Sequence, residues 1–324
     1  STLASRALAV AIGYQIYALS QDPLALGLLG LVQAIPAISL SLVGGHIADR
    51  YDRRAIVLIT RAVSVVAALA FAAISLNVET TGLTALYAVV FVAGIARGFA
   101  DPAASAFEAQ VVPRELYLNA STWGGSVWEA TAIIGPALGG FVYALFGVTN
   151  TYLLVAVLFA LAWLSMALIR PKPLPTSERK ESIGQSIAVG VRYVFHNQVL
   201  VGSMALDLFA VLFGGAVALL PIFASDILHV GPAGLGLLAA APSVGALLSM
   251  LVATRRPPVE HAGRILLMVV AGFGVSIIVF ALSTSMWLSL VALAASGMFD
   301  GVSLIIRDTT LRLLSPEALR GRIA

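Results

Sequence analysis

The sequence predicts an all-α protein that crosses a membrane many times. Of its 324 residues, 60% are hydrophobic and 11% are charged, and the mean hydropathy is +0.98. A soluble domain carries about 25% charged residues, so this chain has too few of them to cover a globule in water. Apolar runs of about 18 or more residues recur along the chain, as in membrane-spanning helices. The short alternating segments of spanning β-strands do not occur.

Ten spans are predicted in chain order, each an apolar run bounded by polar or turn-forming residues. They lie near residues 2–19, 24–44, 55–76, 83–107, 119–145, 151–169, 199–223, 233–253, 264–282 and 286–306. The linkers near 20–23, 77–82, 146–150, 225–232 and 283–285 contain no Lys or Arg. Apart from Arg6 and Arg97, the 19 basic residues cluster at the opposite ends of the spans. The positive-inside rule therefore predicts that those ends are cytoplasmic.

The longest polar segment, residues 171–198, divides the spans into six before it and four after it. It begins PKPLPTSERKES, a composition typical of a flexible linker. Ile183, Ile187 and Val191 then recur at helical spacing, which predicts a short helix along the membrane surface. We therefore predict a first half over residues 1–170, a cytoplasmic linker over 171–198 and a second half over 199–324.

An internal repeat relates the two halves. Around a shared LGLL block, Pro23 and Gly27 align with Pro232 and Gly236 at an offset of 209 residues. The stretch VVPRELYLNA aligns with LSPEALRGRI 203 residues later. We expect two related six-helix halves, a second half without its last two helices, and a sequence trimmed at both ends. Such repeats are typical of secondary transporters, whose substrate site lies between them near the bilayer midplane.

Two motifs stand out against this background. The first lies between spans 2 and 3 and comprises Gly45, Asp49, Arg50, Asp52, Arg53 and Arg54. The second lies in span 5 and comprises Gly135, Pro136, Gly139 and Gly140. They resemble the loop signature G-x-x-x-D-R-x-G-R-R of the major facilitator superfamily and the G-P-x-x-G-G motif of its proton-coupled exporters. The stretches LVQAIPA, VVPREL and SPEALRGRI are similar to its subgroup of enterobactin and drug exporters.

The resemblance implies that the loop motif is a cytoplasmic gate. In the family, the loop aspartate caps a helix of the second half and the arginines pair with nearby acids. Asp49 matches that cap and Arg53 the pairing residue, whereas Asp52 stands where the family has Gly. The family's capped helix is the eleventh, which this sequence lacks. A loop that only sets orientation would explain the arginines but not the aspartates, because acids contribute little to orientation.

The span 5 motif allows two compatible interpretations. Small residues let membrane helices approach closely, and Pro136 frees a backbone carbonyl and can kink the span. The role of the motif in proton-coupled export is implied by the resemblance alone.

Six ionisable residues lie well inside the predicted spans, where such residues are costly and usually functional. They are Arg6, Arg97, Asp101, Glu129, Asp207 and Asp300. All but Glu129 fall on spans 1, 4, 7 and 10, which line the cavity in the family. On these four spans, two arginines stand against three aspartates, and this excess of negative charge favours cationic or zwitterionic amphipathic substrates. An anion of the siderophore type could instead use the two arginines.

Spacing separates the roles of these residues. Arg97 and Asp101 lie four residues apart, which predicts an ion pair. Asp207 and Glu129 have no basic partner within their own helices, so we expect them to bind protons reversibly, Asp207 first. The repeat aligns Arg97 with Asp300. We therefore expect these two residues to face each other across the pseudo-two-fold axis and to form a gate on the cytoplasmic side. Each residue could instead form a static structural pair. Further substrate-contact candidates, which packing would also explain, are Tyr14, Gln15, Tyr17, Gln33, Trp123 and Trp128.

We therefore predict a proton-coupled exporter of small amphipathic molecules, of drug or siderophore type, in the bacterial inner membrane. Its expected partners are a small-molecule substrate, protons and lipid, without nucleic acid, and we expect a monomer. We predict no metal or cofactor, since cysteine is absent and the histidines lie at span ends or in loops. The alternatives are an intramembrane enzyme and a non-transporting sensor or scaffold. A channel would need a selectivity filter or a ring of charge, and this sequence offers neither.

Overall fold

The computed structural model describes residues 1–170, 198–213, 215–255 and 262–314, which are mainly helical and contain no strand. The long helices in these ranges are α1 Thr2–Ser20, α2 Pro23–Arg50, α3 Arg53–Leu76, α4 Val78–Val111, α5 Tyr117–Ala167, α6 Gln198–Phe213, α7 Gly231–Arg255, α8 Ala262–Ala281 and α9 Met286–Leu314. Seven helical segments among the described residues are long and apolar enough to cross a membrane. The prediction of an all-α polytopic membrane protein is confirmed. The predicted surface helix, which begins near Ile183, lies outside the described residues, as does nearly all of the linker 171–198.

Glycine and proline explain how helices and predicted spans differ. Gly147 adopts φ 81° and ψ 171° and breaks α5, so this helix contains both the fifth and the sixth predicted span. The seventh span, expected to be continuous near 199–223, is interrupted. After α6, Gly215–Leu219 forms a 3₁₀ turn, Leu220–Ile222 one α-helical turn and Phe223–Ile227 a π-helical turn. Pro221 contributes to this break because it has no backbone N–H for the helical ladder.

Two helices begin at an aspartate that caps their first turn. Asp22 accepts a hydrogen bond of 2.9 Å from the Leu24 backbone N–H, and Pro23 occupies the first turn of α2. Asp52 accepts one of 2.9 Å from the Arg54 backbone N–H at the start of α3. Each carboxylate satisfies a backbone donor that the helix itself leaves unpaired.

Helices α1 to α5 and residues 218–240 form one compact unit. Within it, α2 packs on α4, α1 on α5, and α3 on both α4 and α5. Its core contains the stacked rings of Phe71 and Tyr152, 5.3 Å apart. The Tyr152 hydroxyl donates to Gln15 Oε1 at 2.6 Å, and Gln15 Nε2 donates to Ser75 Oγ at 2.9 Å. Gln15, a candidate for substrate contact, is therefore buried and engaged in helix packing.

The second compact unit consists of α6, the rest of α7 from residue 241, α8 and α9. Helix α8 packs along α9, and α6 packs on both. Leu266, Val269 and Ile306 form its buried core. Helix α7 approaches α9 so closely that a side chain at Gly245 or Gly297 would meet the opposite backbone. Small residues thus allow this helix pair to form.

Candidate functional site

The loop motif holds helix ends together through its arginines. Arg53 donates from Nε to the Ala48 carbonyl at 2.9 Å and from Nη1 to the Ala106 carbonyl at 3.2 Å. Arg54 donates from Nη2 to the Ala167 carbonyl at 2.7 Å. These carbonyls lie near the carboxyl ends of α2, α4 and α5, where the helix dipole favours a cation. The motif therefore joins three helix ends on one side of the first unit.

The aspartates of the motif have different partners from those that the resemblance implies. Asp49 lies 3.5 Å from Arg53, within the motif itself. Asp52, at the position where the family has Gly, caps α3. The cytoplasmic gate thus stays a prediction, while the arginine contacts show which helix ends it would hold.

The span 5 motif lies where α5 approaches two other segments. A Cβ placed on Gly139 would lie 2.6 Å from the Ala7 carbonyl oxygen of α1, and one on Gly140 would meet the backbone of Pro232 and Gly236 at the start of α7. These contacts confirm the interpretation of close helix packing. They leave the coupling role of the motif as a prediction.

Helix α4 carries the predicted ion pair. Arg97 Nε lies 3.2 Å from Asp101 Oδ2, and both side chains are more exposed than buried. The prediction that these residues pair is confirmed. Since each charge neutralises the other, the pair adds no net charge to the face of α4 that carries it.

Asp207 and Asp300 share an arginine that the sequence analysis did not single out. Arg307 forms an ion pair with Asp207 of α6, and its Nη2 lies 3.9 Å from Asp300 Oδ1 on its own helix, α9. Asp207 thus has no basic partner on its own helix, as expected, but has one on a neighbouring helix. The seven-residue spacing from Asp300 to Arg307 places both on one helical face and was the available signal.

Arg6 and Glu129 complete the predicted set, and neither has an ion-pair partner within 4 Å in the described ranges. The Arg6 guanidinium carbon lies 5.2 Å from the centre of the Trp128 ring, so α1 and α5 meet in a cation–π contact. Glu129 follows Trp128 on α5 and is half-buried. Within the same ranges, no three His, Cys, Asp or Glu side chains converge as a metal site.

A further polar contact involves a carboxylate that the sequence analysis missed. The Tyr17 hydroxyl, buried at the end of α1, donates to Asp226 in the π-helical turn. Asp226 lies in the linker predicted near 225–232, outside the predicted spans, so its position does not mark it as an intramembrane charge. The π-helical turn, a rare conformation often found at functional sites, provides this acceptor.

Comparison with known proteins identifies the family to which this arrangement belongs. The family model described as Major Facilitator Superfamily matches residues 1–324. The enterobactin exporter EntS of Escherichia coli O1:K1 / APEC is 28% identical over 287 residues, which cover 87% of this chain and 67% of the exporter.

Solved transporter structures share the fold. A mutant of the nucleoside transporter NupG matches with a TM-score of 0.73 at 14% identity, over 99% of this chain and 82% of that one. A bacterial homologue of the iron transporter ferroportin, in an inward-facing state, matches with a TM-score of 0.69 at 14% identity, over 100% and 83% of the two chains. Because the family match spans the whole sequence, this chain belongs to the Major Facilitator Superfamily and is a membrane transporter of small molecules, not an enzyme.

Proposed function

We propose that this protein is a proton-coupled exporter of small amphipathic molecules, of drug or siderophore type, which works by alternating access. Similarity to the enterobactin exporter supports the direction of transport. We place the protein in the bacterial inner membrane with the basic loops in the cytoplasm. The working parts are a first half over residues 1–170, a linker over 171–198 and a second half over 199–324. Arg53 and Arg54, with Asp49, form the proposed cytoplasmic gate.

The ion pair between Asp207 and Arg307 is the observation that carries the proposal. Two acids and one arginine lie together on α6 and α9, so at most one carboxylate charge is neutralised at a time. A proton that binds an Asp207 carboxylate oxygen removes its negative charge and weakens its attraction to Arg307. Asp300 then remains 3.9 Å from the guanidinium. Protonation on α6 would in this way alter the contacts of α9.

The arginine also determines when Asp207 takes up its proton. A guanidinium in contact stabilises the carboxylate anion, so protonation is favoured in a state in which the pair has opened. Glu129 is the second candidate. It has no ion pair among the described residues and is half-buried beside Trp128, so its protonation does not require the loss of a salt bridge.

Transport in proteoliposomes tests the proposal. Full-length protein under an imposed pH gradient would be offered fluorescent amphipathic cations and anions, with Asp207→Asn and Glu129→Gln beside the wild type. Asp22→Asn is the matched control, because asparagine caps a helix about as well as aspartate. We expect gradient-driven uptake in the wild type and the control, and its loss in Asp207→Asn.

The other outcomes are equally specific. Uptake that persists in Asp207→Asn but disappears in Glu129→Gln would assign the proton to Glu129. Uptake in the wild type that ignores the pH gradient would reject proton coupling while leaving transport itself in place.

A further inference from the structure

Pairing within the structure changes the balance of charge available to a substrate. Arg97 is engaged by Asp101, and Arg307 is engaged by Asp207 with Asp300 nearby. These contacts use most of the acidic charge that favoured a cationic substrate in the sequence. Among the described residues, no acid lies within ion-pair distance of Arg6, which the sequence places inside span 1.

Two residues of α5 lie against the Arg6 side chain. The side chain leaves α1 opposite Gly135, where an added Cβ would lie 2.5 Å from Arg6 Cβ and 3.4 Å from Arg6 Cγ. Glycine at this position therefore provides the space for the arginine stem. Beyond it, the guanidinium lies over the Trp128 ring. The cation is thus positioned by two residues of α5 that lie two turns apart.

Both side chains of this contact remain accessible. Arg6 is exposed, and Trp128 retains 51% of its accessible surface. An unpaired charge that faced lipid would be costly, so such residues face a water-filled cavity or a ligand. The guanidinium offers a planar fork of N–H donors that suits carboxylates and similar anions. The free part of the indole offers an apolar surface on which an aromatic ring can stack.

We propose that Arg6 and Trp128 form an anion-recognition site and that the substrate class is an organic anion with an aromatic ring. The anionic group would bind the guanidinium and the ring would pack against Trp128. This proposal rests on the proposed transport function and replaces the cationic preference suggested by the sequence.

Binding without a gradient tests this inference. Full-length protein in detergent would be titrated calorimetrically with 1-naphthoate, with 1-naphthylmethylammonium of opposite charge, and with cyclohexanecarboxylate, which lacks the aromatic ring. The variants are Arg6→Gln, Arg6→Lys and Trp128→Leu. Trp123→Leu is the matched control, since Trp123 is 69% exposed on the same helix.

We expect 1-naphthoate to bind the wild type and the Trp123→Leu control more tightly than the two other ligands do. Its affinity should fall about tenfold or more in Arg6→Gln, as for the loss of a charged hydrogen bond, and less in Arg6→Lys. Trp128→Leu should weaken the binding of 1-naphthoate more than that of cyclohexanecarboxylate, because only 1-naphthoate also loses a ring contact.

Three results would overturn the inference: no binding of 1-naphthoate to the wild type, equal affinity in Arg6→Gln, or tighter binding of the ammonium ligand. Because the assay has no pH gradient, these results are independent of proton coupling. Gradient-driven uptake of a cation could then still support the proposed function, and 1-naphthoate binding could survive if proton coupling failed.

Discussion

Asp52 shows how one residue can depart from a family pattern and still contribute locally. The family has glycine at this position, whereas the aspartate here caps α3. We predict that Asp52→Ala lowers the free energy of unfolding by about 1 kcal/mol, because the Arg54 backbone N–H loses its acceptor. Thermal unfolding of the detergent-solubilised full-length protein measures this. Asp49→Ala is the control, since the Asp49 carboxylate is 65% exposed and its ion pair contributes about 0.5 kcal/mol. An equal effect of both variants would argue against capping.

Gln15 illustrates the opposite case, a polar residue inside a span that serves packing. We predict that Gln15→Leu destabilises the fold by about 1–3 kcal/mol, because it leaves the buried Tyr152 hydroxyl without its acceptor. Gln33→Leu, at an exposed position on α2, is the comparison and should change stability little. Both can be followed by the melting temperature in detergent. Equal melting temperatures for Gln15→Leu and the wild type would show that the network contributes nothing measurable.

The sequence predicts ion pairs within one helix better than ion pairs between two helices. The pair of Arg97 and Asp101 follows from a spacing of four residues, and the structure confirms it. The pair of Asp207 and Arg307 joins residues 100 positions apart, on α6 and α9. Helical periodicity places each on a face of its own helix but does not say which faces meet. The contact between Arg6 and Trp128 was missed for the same reason.

At the scale of helices, hydropathy predicts where the chain crosses the membrane but not where a crossing breaks. The linker predicted near 146–150 coincides with the break at Gly147, although no polar loop is needed there because glycine reverses φ. The interruption after α6 lies inside a continuous apolar run. Apolar residues continue through the 3₁₀ turn and the single α-helical turn to Phe223, so composition gives no warning that the helix changes there.

Close packing of α1 on α5 gives a prediction at this scale. Valine at Gly139 would place its Cβ 2.6 Å from the Ala7 carbonyl oxygen and 2.8 Å from Ala7 Cα, and backbone atoms cannot move aside easily. We expect a loss of about 1–3 kcal/mol or more and a lower yield of monodisperse protein on size-exclusion chromatography. Gly27→Val on α2, where nothing lies within 4 Å, is the control and should behave as the wild type. A normal yield and melting temperature for Gly139→Val would contradict this packing.

For the whole molecule, orientation in the membrane is the property that the charge distribution predicts. These 324 residues contain no cysteine, so single cysteines report position without background from this part of the chain. Tyr51→Cys lies at the basic end of α2, and Thr284→Cys lies in a linker without Lys or Arg; both positions are exposed. We predict that an impermeant maleimide labels Thr284→Cys in intact cells with a permeabilised outer membrane. It should label Tyr51→Cys only once the inner membrane is opened. The reverse pattern would invert the proposed topology.

The glycine at position 135 links two properties that are usually engineered separately. Its missing side chain lets α5 lie against the stem of Arg6, so the same atom-sized gap serves both the assembly of the helix pair and the placement of the cation. In a library that varies position 6 to change substrate preference, only side chains that fit against Gly135 will therefore allow α1 and α5 to pack. Selecting paired changes at positions 6 and 135 should recover transporters with new preferences that either position alone would not yield.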